Sequence, residues 1–200
     1  MDNKDKIILD LCGGTGAWSK PYKDNEYNVI NITLPKYDVR LFPSLPSENK
    51  RLPREFDDIN DLRVYGILAA PPCTVFSGSG ARWERTDKEM LEGLSIVDAC
   101  LRIVYATKPI FWALENPIGK LSKWIGKPVI YFHPYEYGNP YTKKTCLWGK
   151  FNLPKKNIVE PVEGTKMGKI LWNYKDAKER RILRSITPDG FARAFYEANK

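Results

Sequence analysis

Short apolar runs recur along the chain, and each ends at a glycine, a proline or a group of polar residues. Runs of this length, rich in branched and aromatic side chains, predict buried β-strands. The pattern predicts four strands in the first 120 residues and two more after residue 127. The six segments read KIILDL, YNVINITL, RVYGILAA, IFWALENP, PVIYFHPY and KTCLWGKF.

The clearest helix is predicted to begin at Thr86 and to end at Lys108. Thr86 and Glu89 have the spacing of a capping box, apolar residues then repeat at helical intervals, and a proline follows Lys108. The last helix is predicted to have Thr187 as its N-cap and Pro188 at its first helical position. Other short helical segments are predicted after the first strand, at GKLSKWIG and at DAKERRILRS.

Strands that alternate with helices predict an α/β protein with a mostly parallel sheet and helices on both faces. The chain has 200 residues, which fits a single domain spanning residues 1–200. Residues 43–62, rich in proline, serine and charge, are predicted to form an irregular connection, and residues 152–173 are predicted to be loop-like.

Charge is distributed unevenly along the chain. Residues 1–140 carry 18 Lys or Arg and 18 Asp or Glu, whereas residues 141–200 carry 14 and 6, so the net charge of +8 lies in the last 60 residues. A basic segment on a neutral body indicates a polyanionic partner, most simply nucleic acid. A solvated lysine-rich surface explains the same charge equally well.

The four cysteines lie far apart and form no Cys-x-x-Cys pair. This spacing favours neither a zinc cluster nor a disulfide framework. The first apolar stretch is too short for a signal peptide or a membrane span, so no membrane partner is expected and a reducing cytoplasm is the expected location.

Three polar motifs follow predicted strands: DLCGGTG, PPCTVFS and ENP. Ligands of α/β sheets bind at the carboxyl ends of the strands, so one pocket is expected to gather all three motifs. The first motif is a glycine turn that lets a ligand approach the backbone, but it lacks the dinucleotide spacing and the P-loop lysine. From its residues alone, a tight turn without a ligand remains equally possible.

Cys73 follows two prolines, Pro71 and Pro72, and precedes a glycine-rich segment. Prolines stiffen the chain before the thiol, and Arg82 and Arg85 offer the positive surroundings that a thiolate needs. A free cysteine is more often a small buried hydrophobe, and Cys12, Cys100 and Cys146 are interpreted in that way.

Glu115 stands at the end of a predicted strand, where burial can raise the pKa of its carboxyl and let it hold a proton. A solvent-facing glutamate is the alternative. His133 is the only histidine, and it lies between Phe132 and Pro134, which favours a packed ring over a base or a metal ligand. No metal site is therefore predicted.

Taken together and in this order, the motifs resemble those of the DNA cytosine-5 methyltransferase family. LDLCGGTGAWS resembles its cofactor motif, APPCTVFS its catalytic Pro-Cys motif and LENP its Glu-Asn motif. YGNPYTKKTCLWG resembles the stretch before its arginine motif, and TPDGFARAFYEAN resembles its closing helix. The resemblance implies the Rossmann-like fold of S-adenosylmethionine-dependent methyltransferases.

The resemblance also implies a role for each matching residue. Cys73 is the nucleophile that adds to carbon 6 of cytosine, and Glu115 contacts ring nitrogen 3 and the amino group. Lys143 and Lys144 stand where the family has arginines, which they replace in charge but not in bidentate geometry. The residues implied to bind S-adenosylmethionine are Asp10, Cys12, Gly13, Gly14, Thr15, Gly16, Asp38 and Pro71.

The chain departs from the family in several places. Cys12 replaces an aromatic residue, Ala17 replaces a glycine and Thr74 replaces a glutamine. The family's target-recognition region is reduced to residues 150–173 at most, which predicts weak specificity, a protein partner or homodimer that supplies it, or a substrate other than duplex DNA. A compact phage or bacterial DNA methyltransferase is the leading interpretation. The alternatives are the same chemistry on RNA or a free nucleotide, and a non-catalytic nucleic-acid-binding or cofactor-binding protein.

Overall fold

The computed structural model describes residues 2–42, 63–78, 84–162 and 175–200. Several predicted features lie outside the described residues. They are the irregular connection at residues 43–62, Arg82 with the larger part of the glycine-rich segment after Cys73, and residues 163–173 of the predicted loop.

Within the described residues, six strands form one sheet in the order β2-β1-β3-β4-β6-β5. The first four in that order are parallel, and β6 lies antiparallel between β4 and β5. This sheet confirms the predicted α/β, Rossmann-like fold class, including the two late strands. The strands are β1 (Ile7–Leu11), β2 (Asn28–Ile32), β3 (Val64–Ala69), β4 (Phe111–Pro117), β5 (Ile130–Phe132) and β6 (Thr145–Lys150).

Helices cover both faces of the sheet, as predicted. The long helix α2 has the predicted capping box, because the Thr86 hydroxyl accepts a hydrogen bond from the Glu89 N–H at 3.2 Å and the Glu89 carboxylate accepts one from the Thr86 N–H at 2.9 Å. It ends where Lys108 adopts a left-handed conformation with φ of 47°. The helices are α1 (Lys20–Asp24), α2 (Asp87–Thr107), α3 (Ser122–Ile125), α4 (Ala177–Ser185) and α5 (Asp189–Ala198).

Alternating side chains along the strands build two separate cores. On one face, the odd positions Leu9 and Leu11 of β1 pack with apolar residues of α2. On the other face, Ile8 of β1 packs with an aromatic cluster carried by α1 and α5. Asp10 and Glu115 have the same strand parity as the residues of this second core, so both carboxyl groups belong to the α1/α5 face.

The start of α5 differs from the sequence prediction. Pro188, not Thr187, is the N-cap, and the helix begins at Asp189. Pro188 has an extended conformation with ψ of 132°, and its carbonyl accepts the first helical bond from Ala192. The Asn139 side chain accepts a hydrogen bond from the Gly190 N–H at 3.1 Å. The Asn139 side chain, distant in sequence, therefore satisfies one backbone donor of the first turn, as a capping side chain would.

None of the helices in the described ranges is long and apolar enough to cross a membrane.

Replacement of Phe195 with alanine is expected to reduce the free energy of unfolding by about 3–5 kcal/mol. Phe195 is fully buried and contacts the rings of Trp18, Phe111 and Phe151, so its removal leaves a cavity between α5 and the sheet. Urea denaturation measures the loss. The control is Tyr105→Ala, because Tyr105 is 82 % exposed on α2; an equal effect of the two changes would contradict the assigned core.

Candidate active site

The three polar motifs leave the sheet at the same edge. Leu11 at the end of β1 pairs with Ile32 of β2 and with Ala69 of β3, and Ala69 pairs with Leu114 of β4. The glycine turn, the Pro-Pro-Cys segment and the Glu-Asn segment therefore follow one row of parallel strands. This shared position was predicted from the place of each motif at the end of a strand.

The glycine turn needs glycine at defined positions. Gly14 and Gly16 have φ of 55° and 72°, and Cys12 has φ of 58°. At Gly13 a Cβ atom would lie 2.0 Å from the Asp10 carboxylate, so a side chain at this position would displace that carboxyl group. Gly14 and Thr15 are exposed, which leaves their backbone accessible to a ligand.

Asp10 lies fully buried beneath this turn. Its Oδ2 accepts a hydrogen bond from the Ser19 hydroxyl at 2.5 Å and a weaker one from the Asn31 amide at 3.5 Å. The other oxygen of Asp10 and the Asn31 side-chain oxygen are buried without a partner among the described residues. Burial raises the pKa of the Asp10 carboxyl to about 6, although the Ser19 hydrogen bond opposes this shift.

Two of the other predicted cofactor residues are engaged by neighbouring side chains. The Cys12 thiol contacts the buried Cys100 thiol of α2, and this contact together with burial raises the pKa of Cys100 well above its usual value. The Asp38 carboxylate accepts hydrogen bonds from the Arg40 guanidinium at 2.5–3.1 Å, which lowers the pKa of Asp38. The cofactor roles assigned to these residues and to the buried Pro71 remain predictions.

The segment that carries Cys73 is joined to the segment that follows Glu115. The Asn116 amide donates a buried hydrogen bond to the Pro71 carbonyl at 3.0 Å. The Gly78 N–H donates to the Ile118 carbonyl at 3.0 Å, and the Lys120 N–H donates to the Phe76 carbonyl at 2.7 Å. The first residues after Cys73 are therefore held against the Glu-Asn segment.

The Cys73 thiol is exposed and lies in a mixed electrostatic environment. Two effects raise the pKa of Cys73: partial burial of the thiol and the negative charge of the Glu115 carboxylate. The positive charges of Lys143 and Arg184 lower it. Burial also raises the pKa of the half-buried Glu115, again against the charge of Lys143. The structure thus brings Cys73, Glu115 and Lys143 together from three separate segments.

Lys143 and Lys144 point to different surroundings. The Lys143 ammonium donates a hydrogen bond to the Arg184 carbonyl of α4 at 2.8 Å, beside the thiol. The Lys144 ammonium lies 5.3 Å from the centre of the Tyr131 ring. Arg184 was missed by sequence reasoning, because it stands more than 100 residues from Cys73 in a basic helix that resembles a solvated surface.

Other candidate residues have local contacts. Arg85 donates a hydrogen bond to the Thr74 carbonyl at 3.2 Å, beside the thiol segment. His133 stacks on Tyr135 at 5.4 Å between ring centres, and burial lowers its pKa. Within the part of the chain that the structure describes, no group of three or more His, Cys, Asp or Glu side chains is placed to hold a metal ion.

Comparison with known proteins relates the chain to a methyltransferase over part of its length. It is 31 % identical over 125 residues to the type II methyltransferase M.DdeI of Desulfomicrobium norvegicum, which covers 58 % of this chain and 28 % of that protein. It is also 28 % identical over 176 residues to the yeast protein assigned as 1,3-beta-glucanosyltransferase GAS3, covering 82 % of this chain and 31 % of that protein. The chain thus spans less than a third of the length of either relative.

Among solved structures, the chain is similar to an Escherichia coli prophage protein assigned as a DNA modification methyltransferase. The sequence identity is 18 %, the TM-score is 0.48, and the match covers 84 % of this chain and 54 % of that one. No protein-family model matches the chain.

Replacement of Lys143 with alanine is expected to raise the pKa of the Cys73 thiol, because it removes one of the charges that favour the thiolate. Alkylation of Cys73 by iodoacetamide at neutral pH should then become several-fold slower, roughly tenfold for each unit of pKa. Mass spectrometry of the Cys73 peptide measures the rate.

The matched control for that experiment is Lys144→Ala, which removes the same charge from the adjacent residue. It should leave the alkylation rate of Cys73 nearly unchanged, because Lys144 lies beside Tyr131. Equal slowing by the two variants would show that Lys143 has no special position relative to the thiol.

Replacement of Asp10 with asparagine is expected to change how stability depends on pH. The pKa of Asp10 is about 6 in the folded protein and near 3.8 when unfolded, so the folded state binds more protons between these values. Wild-type stability should therefore fall as pH rises from about 4 to 7, by roughly 2–4 kcal/mol through this group.

Asparagine does not ionise, so the Asp10→Asn protein should lack this pH-dependent part of the free energy of unfolding. The asparagine side-chain oxygen can still accept the Ser19 hydrogen bond. Urea unfolding of both proteins at pH 4.5 and pH 7 measures the difference. Parallel pH profiles for the two proteins would mean that Asp10 does not titrate in this range.

Proposed function

We propose that this protein is a DNA (cytosine-5)-methyltransferase that transfers a methyl group from S-adenosylmethionine to carbon 5 of cytosine through a covalent Cys73 adduct. The observation that carries the proposal is the meeting of Cys73, Glu115 and Lys143 at one sheet edge beside a glycine turn. The similarity to M.DdeI supports the same class of reaction.

The chemistry of the cluster fits this reaction. Cytosine carbon 5 is a weak nucleophile, and addition of a thiolate to carbon 6 makes carbon 5 electron-rich. The Cys73 sulfur would donate the electron pair that forms the bond to carbon 6. Glu115, whose raised pKa favours the protonated form, would hold a proton at ring nitrogen 3, where negative charge develops. Lys143 would stabilise both the thiolate and this developing charge.

The end of the reaction restores the enzyme. Carbon 5 would take the methyl group, the sulfonium sulfur would keep the electrons of the broken bond and leave as a thioether, and ring nitrogen 3 would return its proton to Glu115. A base would then remove the proton from carbon 5, the electrons of that bond would re-form the ring double bond, and Cys73 would leave as a thiolate. Neutral Glu115 reduces electrostatic repulsion of the thiolate, so protonation of Glu115 and ionisation of Cys73 favour each other. The reactive state therefore carries one proton between the two groups, and the rate is expected to fall when pH rises above the raised pKa values of both groups, where that last proton is lost.

The glycine turn fits the proposed cofactor. S-adenosylmethionine, when bound, supplies an electrophilic methyl group on a sulfonium and carries an ammonium group and ribose hydroxyls as donors. The exposed backbone at Gly14 and Thr15 would contact it. Next to that turn, one Asp10 oxygen and the Asn31 side-chain oxygen are buried acceptors that have no partner in the described part of the chain. Cys12 would give less contact than an aromatic residue does in the family.

Two alternatives keep the fold and change the function. The same chemistry on RNA or a free nucleotide would use the same cluster, and a non-catalytic nucleic-acid-binding or cofactor-binding protein would not need Cys73. The similarity to a glucanosyltransferase suggests no third candidate, because glycosyl transfer of the common kind uses two carboxyl groups at one site. Among the described residues, Glu115 is the one carboxyl group whose charge affects the pKa of Cys73, so this site does not present the second carboxyl group that such a transfer needs.

Methyl transfer to four different substrates tests the proposal. Purified protein is incubated with tritiated S-adenosylmethionine and, separately, duplex DNA, single-stranded DNA, tRNA and dCMP. Label should enter DNA. Cys73→Ser should reduce transfer by at least about 1,000-fold, and Glu115→Gln by about 100-fold, since they remove the nucleophile and the proton at nitrogen 3.

A control variant and a binding measurement accompany this experiment. Glu197→Gln changes an exposed glutamate of α5 and should leave transfer unchanged. Equilibrium dialysis should show that Cys73→Ser still binds the cofactor. Label in tRNA or dCMP instead of DNA would favour the first alternative. Cofactor binding without transfer to any substrate would favour the second.

A further inference from the structure

A second basic surface lies beside the Cys73 segment, and all of its residues except Lys144 precede the basic last 60 residues. It is formed by the residues around α3 and by the edge strand β5. Between Asn116 and Glu136 the sequence contains three lysines and no acidic residue. The α3 surface consists of Lys120, Lys123, Trp124, Lys127, Tyr131 and Lys144.

Packing of α3 determines which of its side chains point outward. Leu121 is fully buried and Ile125 packs against the same core, one helical turn later. The Ile125 N–H donates a hydrogen bond to the Leu121 carbonyl at 3.1 Å, which closes that turn. Lys123 and Trp124, between these two anchors, are therefore exposed, and Trp124 exposes 56 % of its surface.

The edge strand contributes to the same side of the sheet. Tyr131 pairs with Cys146 in the antiparallel register, so their side chains share a face. Cys146 belongs to the core that also contains Leu121, and the Trp148 indole donates a hydrogen bond to the Gly126 carbonyl at 2.8 Å just after α3. Tyr131 and its neighbour Lys144 thus lie on the face that α3 covers.

This surface continues directly into the Cys73 segment. The Lys120 N–H donates a hydrogen bond to the Phe76 carbonyl, and Ser77 forms a β-bridge with Gly119. A chain of substrate that passes over Cys73 would therefore meet the lysines of the α3 surface next. An exposed tryptophan among lysines is the combination that binds unpaired bases and phosphates together.

We propose that the α3 surface binds a single-stranded segment of nucleic acid adjacent to the base that reacts at Cys73. Its lysines contact the phosphates, and Trp124 stacks on an unpaired base. This inference rests on the proposed function, because that function places a base at Cys73. The charge complementarity and the exposed indole favour a nucleic-acid strand over a protein partner.

The test measures binding without catalysis. Fluorescence anisotropy gives the Kd of a labelled single-stranded oligonucleotide and of its duplex, using Cys73→Ser protein without cofactor across a salt series. Trp124→Ala should weaken binding of the single strand about tenfold and leave the salt dependence unchanged. Lys123→Ala should lower the slope of log K against log salt by about 0.7 for the single strand.

The matched controls change exposed residues elsewhere. Tyr105→Ala removes an exposed aromatic ring from α2, and Lys23→Ala removes an exposed lysine from α1. Both should bind like the parent protein, and thermal melting should confirm that all variants fold. Equal binding by Trp124→Ala and Tyr105→Ala would overturn the proposal, as would weakening of duplex binding alone.

The failures of the two proposals are distinguishable. If Trp124→Ala loses affinity for the single strand but wild-type protein methylates no substrate, the α3 surface is supported and the proposed methyltransferase function fails. If wild-type protein methylates DNA and Trp124→Ala binds and methylates like the controls, the α3 surface is overturned and the methyltransferase function stands.

Discussion

The buried hydrogen bond from the Asn116 amide to the Pro71 carbonyl joins the two segments that carry Cys73 and Glu115. The parallel pairing of β3 with β4 brings the two strand ends together, and this bond connects the chain just beyond them. Pro71 and Pro72 have fixed φ angles, so the position of the Pro71 carbonyl largely determines where Cys73 begins. The geometry of the proposed reaction depends on this connection.

Close approach of Cys73 and Glu115 has an electrostatic consequence. Burial raises the pKa of both groups, and the Glu115 carboxylate raises that of the Cys73 thiol further. Lys143 opposes both shifts, and Arg184 opposes that of Cys73. Between the two pKa values the site holds one proton, on either the thiol or the carboxyl group. A thiolate beside a neutral carboxylic acid is the arrangement that the proposed addition to cytosine requires.

The sheet and its main elements could be predicted from the sequence, because apolar runs and the Thr86–Glu89 capping box are local signals. Convergence of the three motifs followed from parallel strand order. The partners of Asp10 could not be predicted, since Ser19 and Asn31 come together only through tertiary packing. The different surroundings of Lys143 and Lys144 and the approach of Arg184 depend equally on contacts between distant segments.

The central claim is that the Cys73 sulfur bonds to the cytosine ring during catalysis. Duplex and single-stranded DNA containing 5-fluorocytosine tests it most directly, because fluorine cannot be removed from carbon 5 as a proton is. With S-adenosylmethionine present, intact mass spectrometry should show a stable complex of one protein and one DNA strand, and peptide mapping should locate the bond at Cys73. A complex linked through another residue, or methyl transfer to ordinary DNA without any trapped complex, would contradict the account.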